Sequence, residues 1–248
     1  MYIWKCWRDT RVRLFIHLIL VSVICAMVIA VTAKAGGPAG YQRGGPGSGV
    51  PNMWTINGKG VLGGLFSLVI FFGALSLGAP GLGEEFREQT LGFLFTRPRR
   101  RSFWVRACWL VGVCELGVVV SLAVLGMFGG LTYMTGYVYT WRFLAALAPL
   151  WAGAIVVYSL TYFMTAVARS SEKGISYSLG ILMVDLLLPV AAYYWHFHFV
   201  SILDFTMAGC AWAARSAPAF PVGQFIICAA LACALLLGTQ FVMERTEP

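Results

Sequence analysis

The sequence predicts an all-α polytopic membrane protein with six transmembrane helices. A basic interfacial helix precedes the first, and a short cytoplasmic helix lies between the second and third. Three observations predict this. Of 248 residues, 59% are hydrophobic and only 11% are charged, with mean hydropathy +0.78, whereas soluble domains carry about 25% charged residues. Apolar runs of about 20 residues recur, enough at 1.5 Å per residue to cross a bilayer core of about 30 Å. The charges fall between those runs rather than within them. One transmembrane domain over residues 1–248 accounts for the whole chain.

The first element, Trp4-Lys5-Cys6-Trp7-Arg8-Asp9-Thr10-Arg11-Val12-Arg13, interleaves aromatic and basic residues. That pattern suits a helix lying in the interface, with its basic side toward lipid headgroups. The first span follows near 14–33. Its charge-free stretch from Leu14 to Thr32 exceeds the about 7–15 apolar residues of a signal peptide, so an uncleaved helix is expected despite the cleavage-like Ala33-Lys34-Ala35. A loop rich in Gly and Pro (Gly36-Gly37-Pro38, Gly44-Gly45-Pro46-Gly47) then reads as an irregular connection. The further spans are expected near 61–80, 107–131, 143–167, 175–194 and 222–242. A loop over 195–221 is expected to include a short helix lying on the membrane.

The positive-inside rule sets the orientation. With both termini cytoplasmic, only Lys34, Arg43, Lys59, Arg142 and Arg215 of the 18 Lys and Arg residues face outward. The net charge of +8 thus belongs to membrane flanks, and nucleic acid is excluded as the expected partner. Tyr and Trp near span ends, such as Trp54, Tyr133, Trp141 and Trp195, mark the aromatic belt. The pairs Gly60/Gly64 and Gly126/Gly130 are weak signals of close helix approach. Seven cysteines without a CxxC pair are expected to behave as small hydrophobes, with no disulfide framework and no zinc site.

The densest charge lies in residues 84–101, with Glu84, Glu85, Glu88, Arg87, Arg97, Arg99, Arg100 and Arg101. Phe86, Thr90, Phe93 and Leu94 fall near one helical face. The glutamates occupy the first turns, where carboxylates suit the helix dipole, and Pro98 ends the helix. Arg97, Arg99, Arg100 and Arg101 meet the headgroups as the third span begins. Among ionisable residues at membrane depth, Glu115 and Asp185 stand out, because such groups carry functional hypotheses by default. The bland reading of each is a hydrogen bond to a neighbouring helix. Pro189, four residues after Asp185, is expected to kink the fifth span. His17 reads as a hydrogen-bonded packing residue. His196 and His198 with Asp204 would ligate a metal only from an extended loop, and none is expected. No catalytic Ser/His/Asp or Cys/His set is apparent.

The run Glu88-Gln89-Thr90-Leu91-Gly92-Phe93-Leu94-Phe95-Thr96-Arg97-Pro98, followed by Arg101, resembles the link between helices two and three in the ABC-2 family of ATP-binding-cassette permeases. Gln89 stands where that family usually has Gly, and Gly92 where it usually has Glu. The resemblance implies that 84–98 contains the coupling helix that docks on a separate cytoplasmic ABC ATPase subunit. Phe86, Phe93 and Leu94 would be its apolar anchors and Glu84, Glu85, Arg87 and Glu88 its charge register, with Thr90, Leu91 and Pro98 completing the motif. It also implies a second permease copy or related chain, a bacterial plasma (inner) membrane, and export of a hydrophobic or amphipathic substrate. The chain itself has no GxxxxGK[ST] loop; Gly58-Lys59 is followed by Gly60. It is therefore not expected to be an enzyme or to bind a cofactor, and ATP and Mg would sit on the partner. Two alternatives stay open. One is a secondary transporter coupling protons at Glu115 and Asp185; the other is a non-transport membrane anchor or assembly factor.

Overall fold

A computed structural model of the chain describes residues 2–35, 61–80, 82–83, 101–135, 147–195 and 222–245. The segment 84–100, with its expected coupling helix, lies outside the described residues, as do the loops containing His196, His198 and Asp204. Six long helices are described: α1 (Tyr2–Ala35), α2 (Val61–Gly78), α3 (Arg101–Thr135), α4 (Leu147–Ala168), α5 (Ser171–Trp195) and α6 (Val222–Arg245). Four contain stretches long and apolar enough to cross a membrane: Thr10–Met27, Ser102–Gly130, Ala148–Ala168 and Phe225–Arg245. α2 holds a shorter apolar stretch, Val69–Gly78.

Each expected span overlaps a described helix, but the helices do not stop where hydropathy does. α1 is one helix of 34 residues. The separate interfacial helix expected ahead of the first span is therefore corrected: residues 4–13 are the first turns of α1. Neither Gly nor Pro occurs between Tyr2 and Ala35, so nothing breaks the backbone where the side chains turn polar. α3 likewise begins at Arg101, ahead of the apolar stretch. α5 continues past Pro189 to Trp195 as one element.

Contacts fix the helix directions. Cys6 meets Cys108, Thr10 meets Glu115 and Cys25 meets the Ala123 carbonyl, so α1 and α3 run parallel. Tyr162 reaches Val105 while Trp151 reaches Val113, so α4 runs antiparallel to α3. The turn between α4 and α5 needs only Arg169 and Ser170. Arg169 takes the left-handed conformation (φ 52°) that commonly terminates a helix, and the Gly174 N–H donates to the Ser170 carbonyl at 2.9 Å. Glu172 sits in the first turn of α5, where its charge favours the dipole. Arg106 of α3 donates to Gln240 near the end of α6 at 3.0 Å, and Gly83, just past α2, lies against Ser171. One end of the bundle thus gathers the start of α1, α3 and α5 and the end of α2, α4 and α6.

α4 is the centre, touching α2, α3, α5 and α6, while α1 packs on α3 and α2. The apolar stretch of α4 is 67% buried and that of α3 56%, against 28% for α1 and 22% for α6. The outer helices therefore offer most of their apolar surface to whatever surrounds the bundle. Of the two glycine pairs singled out above, Gly130 meets Ile29 but Gly126 faces open space.

Candidate functional site: buried polar seams and the α5 groove

Buried polar side chains tie α1 to α3 and α3 to α4. Thr10 is 5% exposed and Glu115 4%, and the Thr10 hydroxyl donates to Glu115 Oε1 at 2.6 Å. The Cys6 carbonyl lies 3.1 Å from the same hydroxyl, but a hydroxyl has one proton, and the carboxyl contact is the shorter. Glu115 Oε2 is buried with no hydrogen-bond partner. This matches the bland reading of Glu115 for one oxygen and leaves the other over.

One turn and more toward the basic end, Cys6 and Cys108 form a disulfide. The expectation that no cysteines pair is therefore corrected. The two lie 102 residues apart in sequence, and only the parallel register of α1 and α3 brings them together. Cys25 and Cys228 are buried and free as expected, and Cys114 and Cys233 are exposed.

The α3–α4 seam is fastened by donors that the sequence reading did not single out. Tyr162 donates to the Val105 carbonyl at 3.0 Å and Tyr158 points its hydroxyl at the Cys108 carbonyl at 3.5 Å. Trp109 donates to Ser159 at 3.0 Å and Trp151 to the Val113 carbonyl at 3.4 Å. The two tyrosine rings stack at 6.0 Å, and Gly112 makes room for Tyr158, whose ring occupies the space a Cβ would need. The available signal was Tyr and Trp inside apolar runs, since a buried O–H or N–H needs an acceptor. His17 is buried as expected, with Nδ1 2.6 Å from the Arg13 carbonyl and its ring over Gly73.

Asp185 belongs to a different place. It is 6% exposed and lies on α5, about 20 Å from Ser171 at 1.5 Å per residue. It lines an open groove of about 580 Å³ together with Tyr177, Gly180, Ile181, Val184 and Leu188. Glu115 and Asp185 thus lie at similar depth but on separate seams. Among the described residues, no three His, Cys, Asp or Glu side chains gather to hold a metal ion.

The Thr10–Glu115 pair yields a direct expectation. Thr10→Val keeps the shape but strips Glu115 of its donor, which is expected to destabilise the chain by about 1–3 kcal/mol. Unfolding in mixed micelles with dodecyl sulfate measures it. The double variant Thr10→Val, Glu115→Leu is expected to recover most of the loss, since no buried polar atom is then orphaned. A single variant as stable as the parent would show that this bond contributes nothing.

The fold and its buried seams define a helical membrane-integral protein. Within that class the chain belongs to the family described as "Protein of unknown function (DUF2705)", which matches residues 18–208. No curated protein and no solved structure matches it.

Proposed function

We propose that the chain is the permease subunit of an ABC-2-type transporter, coupling ATP hydrolysis on a separate ATPase subunit to export of a hydrophobic or amphipathic substrate. In this reading all six helices cross a bacterial plasma membrane, two permease chains pair, and ATP and Mg stay on the partner. The observation that carries it is the acidic-then-apolar run from Glu84 to Leu94, stopped by Pro98, joined to a bundle whose flanking residues lie at one end. Gly83 packs on Ser171 and Val105 on Tyr162, so the segment leaves and re-enters the bundle where Arg106, Arg169 and Arg245 also lie. By the positive-inside rule that end faces the cytoplasm, where ATP is.

Co-purification with candidate ATPases, followed by an ATPase assay in lipid vesicles, tests the reading. Phe93→Asp and Leu94→Asp are expected to abolish association while leaving the bundle folded. Association that survives both overturns the assignment of the coupling helix. A second reading, proton-coupled secondary transport, is favoured by the unpartnered buried oxygen of Glu115. It requires substrate movement without any ATPase, lost in Glu115→Gln.

A further inference from the structure

At the basic end of the bundle, one cation is held in place by a second helix. Arg106 lies inside the apolar stretch Ser102–Gly130 of α3, and Gln240 and Arg245 lie inside the stretch Phe225–Arg245 of α6. Arg106 is exposed, yet its guanidinium donates to Gln240 Oε1 at 3.0 Å where α6 packs on α3. Gln240 is only 6% exposed, and its Nε2 is buried without a hydrogen-bond partner. Burying an amide with its own donor unmatched is costly; here the acceptor of that amide fixes a charge at the bundle surface. A guanidinium has five N–H donors, so the bond to Gln240 leaves most of them for a further acceptor. Five residues after Gln240, about 7.5 Å along the helix, the Arg245 guanidinium lies 4.0 Å from the centre of the Phe241 ring. One turn deeper than Arg106 and Gln240, Leu110 and Leu237 stand exposed. Glu244, also exposed, is one turn beyond Gln240, so two cations face one carboxylate here.

We propose that this seam between α3 and α6 binds an anionic phospholipid, with its phosphate against Arg106 and Arg245 and an acyl chain along Leu110 and Leu237. The occupant follows from depth and charge. Both apolar stretches run past these residues, so the guanidinium of Arg106 lies at the rim of the hydrocarbon, where lipid surrounds the helices. The acceptor available at that depth is a headgroup phosphate, and basic pockets between membrane helices on the cytoplasmic side bind such headgroups. Arginine suits phosphate because its planar fork makes paired hydrogen bonds. Two cations against one carboxylate favour a lipid of net negative charge over a zwitterionic one. The binding does not rest on the permease reading.

The full chain in detergent, titrated with phosphatidylglycerol or with phosphatidylcholine of the same acyl chains, is read by native mass spectrometry as lipid bound per protein. Phosphatidylglycerol is expected to bind saturably and phosphatidylcholine more weakly. Arg106→Gln and Arg245→Gln are each expected to weaken phosphatidylglycerol binding about fivefold. Gln240→Leu keeps both charges but releases the guanidinium, and is expected to weaken binding in the same direction. Lys173→Gln removes an exposed cation at the same end, on α5, and is expected to change nothing. Equal binding of the two lipids overturns the proposal, as does parent-like binding in Arg106→Gln or Gln240→Leu. A loss in Lys173→Gln as large as that in Arg106→Gln also overturns it, since the attraction would then belong to the whole basic end. Glycerol phosphate, a headgroup without chains, is expected not to compete; competition overturns the lipid and leaves a soluble anion as the occupant. Should Arg106→Gln misfold, Arg245→Gln alters an exposed residue in the last turn of α6: weakened binding supports the site and retained binding overturns it.

Discussion

Replacing Cys6 by serine is expected to lower the stability of the folded chain by about 2–4 kcal/mol. The bond to Cys108 closes a loop across 102 residues of sequence, and the entropy removed from the unfolded chain grows with loop length. Cys108→Ser and the double variant are expected to lose the same amount as Cys6→Ser, because all three remove one bond and the losses do not add. Unfolding in mixed micelles, with and without dithiothreitol, measures the difference. Maleimide labelling of the denatured chain is expected to gain two sites on reduction, and an unchanged label count would show that the bond is absent. Its location sharpens the test. The bond lies at the basic end, which the permease reading places in a reducing cytoplasm where disulfides are rare. Both cysteines are only 5% exposed, so reductant applied to the folded chain is expected to leave the bond intact.

That pair also marks where sequence reasoning stops. The position of each helix was legible because an apolar run of fixed length is a one-dimensional signal: the stretch near 222–242 lies in Val222–Arg245, and that near 61–80 overlaps Val61–Gly78. The ends were less legible. Hydropathy marks the part of a helix that sits in lipid, whereas α1 and α3 run on through Arg8 and Arg106 because nothing there breaks a helix. Glu115 and His17 could be singled out by residue type alone, and both found helix partners. Thr10 could not, since it became the partner of Glu115 only through the register of two helices 105 residues apart in sequence. The same holds for the α5 groove. Asp185 stands out in an apolar run, but the open space over Gly180 depends on what the rest of the fold leaves uncovered. The acidic segment lies outside the described residues, between Gly83 and Arg101.

Alanine at Gly174 and at Gly180, six residues apart on one helix, is expected to act with opposite sign. At Gly174 a Cβ would come within 2.7 Å of the Thr165 Cα and 2.9 Å of its backbone nitrogen. No flexible side-chain end can yield there, because the obstacle is the main chain of α4. The hairpin of α4 and α5, closed by only Arg169 and Ser170, would have to open, and overpacking of this kind costs about 1–3 kcal/mol or more. At Gly180 nothing lies within 4 Å, so only intrinsic helix preference acts, and alanine is expected to stabilise by up to about 1 kcal/mol. Unfolding of the two variants in the same mixed micelles reads both signs in one series. Equal effects would mean that α4 and α5 do not approach at Thr165 and Gly174. Because Gly83 also lies against Ser171, at the start of the same hairpin, opening it is expected to loosen the point where α2 hands the chain to the 84–100 segment. In the permease reading, Gly174→Ala should therefore uncouple ATP hydrolysis from transport while the ATPase stays bound, which separates it from Phe93→Asp, where association itself is lost.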